Sequence, residues 1–292
     1  MKQKLKFDIQ AQPDDTTCGP TCLQAVYGFF EDDAPLSEVI AEVPALSAGG
    51  TLAVLLGEHA LRRGYDATIY TYNLEVFDPS WFRPDFNAPA VRPAKPGGLP
   101  KLSPESPAGK SLGKIVDQEA HRLFLIERLR EQSKHKTWMK LQTASAAYAE
   151  FLSLGGTILM QELNSQLIRR FLKKSIPILT GLSSTYLYFT EREIPENCLP
   201  DDVRGHPCGH FVVLCGYDKA ARTVSVADPY LPNPLGEKHH YDVHVDRLIA
   251  AILLGVLTYD ANLLVIEPRS TKPQPAPPTK KQASKHNSRP HK

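Results

Sequence analysis

Four side chains in this sequence are of the types that acyl-transfer chemistry needs. Cys18 stands in the run Thr16-Thr17-Cys18-Gly19-Pro20, and Gln12 lies six residues before it. Far downstream, His210 follows Gly209 and opens the apolar run Phe211-Val212-Val213-Leu214, and Asp228 sits between Ala227 and Pro229. A thiolate can attack a carbonyl carbon, and an imidazole can take and return the proton. A carboxylate can hold that imidazole in one tautomer. A carboxamide can donate to the oxygen that turns into an oxyanion, with the Cys18 backbone N–H as second donor. Losing one such donor typically costs about 2.7–4 kcal/mol of transition-state stabilisation.

These groups act together only if the chain folds to bring them there. The segment Thr17 to Phe30 reads as a helix start: Gly19 and Pro20 suit a first turn, and Leu23, Val26, Tyr27 and Phe30 recur at helical spacing. Cys18 therefore stands at a helix N-terminus, where unsatisfied N–H groups and the helix dipole favour a thiolate. Gln12 lies on the loop leading in. The runs His210–Tyr217 and Thr223–Ala227 read as a hairpin with a five-residue connection. The start of one strand and the end of its antiparallel neighbour lie close together. Asp228 can then accept from one imidazole nitrogen of His210 while the other faces Cys18.

The remaining elements follow from periodicity and punctuation. Helices are expected over Leu36–Val43, stopped by Pro44, and from Gly49-Gly50-Thr51 to a Gly64 C-cap. A strand is expected at Ala67–Tyr72, a helix capped by Asn164 or Ser165 running to Leu172, and a β-like run at Ile176–Thr180. A helix near Val245–Leu253 and a strand near Asn262–Ile266 close the pattern. The stretch 83–112 holds seven prolines and reads as a loop. Leu112–Leu154 reads as two helices, so an insert of about 76–154 interrupts the mixed pattern. Helices early and an antiparallel sheet late give an α+β class. One domain over 1–267 is expected, with the Pro-, Lys- and Ser-rich tail 268–292 too poor in apolar residues to order itself.

The segments Gln12-Pro13-Asp14-Asp15-Thr16-Thr17-Cys18-Gly19-Pro20, Gly209-His210-Phe211-Val212-Val213-Leu214 and Ala227-Asp228-Pro229 together resemble the bacteriocin-leader-processing cysteine peptidase family. That family consists of papain-like peptidases that cleave after a double-glycine leader, often as the N-terminal domain of an export ABC transporter. The resemblance covers roughly residues 5–75 and 155–267. It implies a papain-like fold and a cysteine peptidase with Cys18, His210, Asp228 and Gln12 in the roles above. No fused transporter is expected, and the insert is extra to the pattern and could shape or cover a substrate groove. The same acyl-enzyme could equally serve a transferase or deamidase, and the same cleft a non-catalytic peptide-binding module.

Composition narrows the partners. Net charge is +2, but Glu267 to Lys292 carries seven Lys or Arg and one Glu, a net of +6, which leaves about −4 on the body. A basic folded face for nucleic acid is therefore not expected. No apolar stretch approaches the roughly 18 residues of a membrane span, and MKQKLKFDIQ lacks the apolar core of a secretory signal. Five cysteines without export features suit free thiols in a reducing, cytoplasmic setting. A peptide or protein substrate is expected, and no cofactor. Several residues have plainer readings. Cys22, one helical turn after Cys18, suits packing; Cys198, His206, Cys208 and His210 match no paired zinc spacing. His239, His240 and His244 read as surface or turn residues, and Tyr186, Tyr188 and Phe189 as strand core.

Overall fold

The computed structural model describes residues 2–46, 49–83, 117–195 and 197–269. The proline-rich stretch from residue 84 and the tail from residue 270 lie outside the described residues, and so do the expectations of a loop and of disorder there.

The structure is organised around one eight-stranded sheet. Its strands are β1 (Lys2–Lys4), β2 (Tyr65–Thr71), β3 (Thr157–Leu159), β4 (Ile178–Ser183), β5 (Gly209–Asp218), β6 (Thr223–Ala227), β7 (His240–His244) and β8 (Asn262–Pro268). They are ordered β3-β2-β8-β4-β5-β6-β7, with β1 pairing β5 off that path. Every pair is antiparallel except β2–β3. The α helices are α1 (Cys18–Phe29), α2 (Leu36–Glu42), α3 (Ala53–Arg62), α4 (Gln118–His135), α5 (Met139–Ser153), α6 (Ser165–Leu172), α7 (Ser184–Tyr188) and α8 (Val245–Leu254). The α+β arrangement expected from the sequence is present: an N-terminal helix carrying Cys18 packs on an antiparallel sheet whose β5 carries His210.

The local rules explain most boundaries. Strand β5 is buried from His210 to Tyr217, as its continuous apolar run requires of a strand covered on both faces. Asn164 caps α6, its side chain accepting from the N–H groups of Gln166 and Leu167 at 2.9 Å each. The β5–β6 register shifts between Leu214 and Gly216, a bulge in the hairpin. Because Asp218 belongs to β5, the connection is four residues rather than five. Three strands escape periodicity. β1 and β3 are three residues each, and β7, His-Tyr-Asp-Val-His, is too polar to read as a strand. Of the surface or turn setting expected for His240 and His244, the turn is corrected: both belong to β7, paired to β6, and His244 is exposed there.

The helical insert has a topological use. Strands β2 and β3 are parallel neighbours, and parallel neighbours need a long crossover connection, usually helical. Helices α4 and α5 lie within that crossover. Helix α5 meets α3 through Phe151, which is fully buried. A Cβ on Gly57 of α3 would stand 2.7 Å from the Phe151 ring, and one on Gly156 would stand 2.3 Å from it. Two bare backbone positions thus accept one ring. Phe151→Ala is expected to lower the unfolding free energy by about 3–5 kcal/mol, read by urea denaturation; a loss under about 1 kcal/mol would mean the insert is not part of the core.

Candidate active site

Cys18 is the first residue of α1 and is 8% exposed. Its N–H and those just after it have no intrahelical acceptor. Thr17, in the N-cap position, makes no side-chain cap bond. Its hydroxyl instead donates to the Asp14 carbonyl at 3.2 Å and accepts from the Asp14 N–H at 3.3 Å. The helix end is therefore left open for an anion. Cys22 sits one turn down, with its thiol directed at the Phe211 carbonyl at 3.3 Å. Burial pushes that thiol well up, which accords with packing.

His210 lies at the start of β5 and Asp228 directly after β6. His210 Nε2 and Asp228 Oδ1 are 2.8 Å apart. With Nε2 taken, Nδ1 is the nitrogen left for a second partner, and the Cys18 side chain is close enough to act on the charge of the ring. Burial pushes the imidazole down, but the Asp228 charge, the bond to Asp228 and the nearby Cys18 side chain outweigh it and hold the ring above its ordinary value of 6.5.

Asp228 is 0% exposed. Its Oδ1 also accepts the Tyr230 N–H at 2.9 Å, and its Oδ2 accepts the hydroxyls of Tyr188 at 2.7 Å and Tyr241 at 2.6 Å. Burial pushes the carboxyl up, yet the His210 charge and these bonds hold it below its ordinary value of 3.8. Burial and the adjacent carboxylate push both tyrosines up, so they stay protonated and donate.

Gln12 is fastened to the same locus. Its N–H donates to the carbonyl of Pro229, the residue after Asp228, at 2.9 Å. Its side-chain Nε2 donates to the Asp14 carbonyl at 2.8 Å, which leaves one amide hydrogen uncommitted. Gln12, Gly209 and His210 line a cleft of about 700 Å³ together with Tyr188, Tyr230 and Glu193. The arrangement pairs His210 with Asp228, sets Gln12 at the same cleft and brings the Cys18 side chain within electrostatic reach of the ring.

The sequence reading missed the residues around Asp228. Tyr188 was expected in a strand core; it ends the short helix α7, and its hydroxyl reaches Asp228. Tyr241 and Tyr230 went unremarked. Only the alternation of β7 carried a signal for Tyr241, and its flanking polar residues hid it. His239 and His240 are likewise engaged, Nδ1 of His239 with the Asp228 carbonyl at 2.7 Å and Nε2 of His240 with the Phe7 carbonyl at 2.9 Å.

Residues 130–249 match the sequence model of the peptidase C39-like family. The matched stretch contains His210 and Asp228 and leaves Gln12 and Cys18 outside it. The chain resembles C39-like cysteine peptidases. Among solved structures, a protein described as a C39-like peptidase from Bacillus anthracis aligns with 12% identity and a TM-score of 0.43, covering 92% of this chain and 98% of that one. Xylellain, a cysteine protease from Xylella fastidiosa, aligns with 15% identity and a TM-score of 0.36, covering 91% and 85%. No curated protein sequence matches the chain. No helix among the described residues is long and apolar enough to cross a membrane.

The two shifted groups set a pH window for stability. His210 is raised on folding, so its contribution is complete below pH 6.5 and is lost as pH rises through its folded value. Asp228 is lowered, so its contribution is complete above pH 3.8 and is lost as pH falls through its folded value. The stability deficit of Asp228→Asn is therefore expected to be largest between about pH 4 and 6.5 and to shrink towards alkaline pH. Urea denaturation at a series of pH values checks this; a deficit that grows with pH would contradict the pairing.

Proposed function

We propose that this chain is a cysteine peptidase, a thiol hydrolase of peptide or amide bonds, with Cys18 as nucleophile, His210 as proton carrier, Asp228 as the residue that orients it and Gln12 as oxyanion donor. The observation that carries the reading is one imidazole, at the wall of a cleft of about 700 Å³, that pairs with a fully buried carboxylate 2.8 Å away and feels the nearby Cys18 side chain. Similarity to the C39-like peptidases over residues 130–249 supports it.

In this mechanism the Cys18 thiolate adds to the carbonyl carbon of the substrate. The carbonyl oxygen takes up the negative charge beside the Cys18 N–H and the uncommitted Nε2 hydrogen of Gln12. Imidazolium His210 gives its proton to the leaving amine, and the C–N bond breaks to leave a thioester. Neutral His210 then takes a proton from water, whose oxygen attacks the thioester and restores the thiol. Asp228 stays ionised throughout and pairs with each imidazolium as it forms.

Thiol chemistry tests this before any natural substrate is found. Burial pushes up the thiols of Cys22, Cys198, Cys208 and Cys215, so these four serve as an internal reference. Iodoacetamide at neutral pH, mapped by peptide mass, is expected to label Cys18 first. His210→Ala should remove that preference. Equal or slower labelling of Cys18 in the wild type would sink the hydrolase reading. Once a peptide substrate is in hand, Cys18→Ala and His210→Ala should abolish turnover, and Gln12→Ala should lower kcat by about 10²–10³. An unchanged kcat in Gln12→Ala would remove Gln12 from the oxyanion site.

A further inference from the structure

Asp260 is a second buried carboxyl close to His210, and nothing above uses it. It is 7% exposed, and its Oδ1 is buried without a hydrogen-bond partner. Burying an acid this far costs several kilocalories per mole unless something recovers the loss, and an apolar residue would fill the same space without that cost. The sheet makes room for it. A Cβ on Gly209 would stand 2.5 Å from Asp260 Oδ2 and 2.8 Å from the Thr258 hydroxyl. A Cβ on Gly181, in the adjacent strand β4, would stand 2.6 Å from both the Asp260 Cβ and its carbonyl oxygen. Two neighbouring strands therefore each present a bare backbone position to Asp260, and the one that meets its carboxyl directly precedes His210.

The approach to Asp260 is equally constrained. The preceding residue, Tyr259, is held at φ 70°, a left-handed conformation uncommon outside glycine. The Asp260 N–H donates to the Gly255 carbonyl at 2.8 Å, and the Thr258 hydroxyl donates to the same carbonyl at 3.1 Å. The charged and titratable groups facing the carboxyl are Lys140 and Tyr148 of α5 and His210 of β5. Lys140 reaches this turn from the insert: its Nζ is 3.5 Å from the Thr258 carbonyl and 4.6 Å from the centre of the Tyr259 ring.

We propose that Asp260 is a positioning residue for His210: its carboxylate, seated against Gly209 and Thr258 and faced by Lys140, fixes the backbone that carries the imidazole and stabilises its protonated form. The role rests on the hydrolase reading for its use, since an imidazolium is what that mechanism protonates the leaving amine with. It also gives the insert a chemical part, because Lys140 of α5 favours the ionised form of Asp260. Burial pushes the Asp260 carboxyl up to about 7, against the pull of Thr258, Lys140 and His210, so its charge changes near neutral pH. The brace is weakest in acid and strongest above neutrality.

The test follows the His210 imidazole by nitrogen-detected NMR in histidine-labelled protein across the pH range in which it stays folded. Asp260→Asn keeps the volume and removes the charge. It is expected to lower the His210 midpoint by about half a unit to one and a half units. An unmoved or raised midpoint overturns the proposal. Should Asp260→Asn fail to fold, the wild-type curve decides: ionisation of Asp260 near neutral pH should appear as a second inflection in the His210 signal below its own midpoint, and its absence overturns the proposal. Iodoacetamide labelling in the same samples separates the two readings. Fast Cys18 labelling with an unmoved histidine removes Asp260 alone. A shifted histidine with sluggish Cys18 removes the hydrolase reading and leaves the role of Asp260 towards His210 standing.

Discussion

A carboxylate with no exposed surface is the constraint on which the rest of this structure depends. An ion the size of Asp228 is stable away from water only if its lone pairs are taken and its charge is met. Four donors converge on it: the His210 ring, the Tyr230 N–H and the hydroxyls of Tyr188 and Tyr241. They come from β5, the loop after β6, the end of α7 and β7. None of these elements can shift far without unpairing the charge. The order of the sheet, β4-β5-β6-β7, brings them together at one place.

That anchoring passes outward to the neighbouring side chains. Because Asp228 holds Nε2, the ring of His210 keeps its other nitrogen available to a second partner. Because the Pro229 carbonyl accepts the Gln12 N–H, the loop before α1 is pinned to the strand end that carries the acid. Gln12 and Cys18 stand nearly 200 residues before His210 in the sequence, yet the contacts of Asp228 and Pro229 bring Gln12 and His210 to one place. Removing any of the tyrosine hydroxyls would leave a charged acceptor short of a bond, a loss usually worth about 1.5–3 kcal/mol.

The parts legible in the sequence were those governed by local periodicity. Helix α1 showed itself through Leu23, Val26 and Tyr27, the β5–β6 hairpin through its apolar run, and α6 through Asn164. The expected proximity of His210 and Asp228 follows from hairpin geometry alone, and the distance of 2.8 Å accords with it. What stayed hidden depends on long-range contact. Tyr188 reaches Asp228 from a five-residue helix with no repeat to detect, and Tyr241 from a strand of mostly polar residues. Asp260 lies in an irregular turn where an acid reads as a loop residue; only folding shows it packed against Gly181 and Gly209. The parallel β2–β3 pairing was hidden for the same reason, since a three-residue strand carries almost no pattern.

The open N-terminus of α1 is set by the turn that precedes it. A threonine immediately before a helix ordinarily folds its hydroxyl onto the first free N–H groups. Thr17 does not, because the turn around Asp14 holds it: the Asp14 carboxylate accepts from the Thr16 N–H and hydroxyl at 2.8 Å each, and the Asp14 backbone engages the Thr17 hydroxyl. The same Asp14 carbonyl holds one amide hydrogen of Gln12. One aspartate turn thus withdraws the natural cap from the helix and steadies the carboxamide beside it. A helix forgoing its cap gives up about 1 kcal/mol of stability, and what remains is a set of N–H groups free to meet negative charge at Cys18. The buried Asp228 fixes where the imidazole stands, and the Asp14 turn keeps the opposing donors unspent.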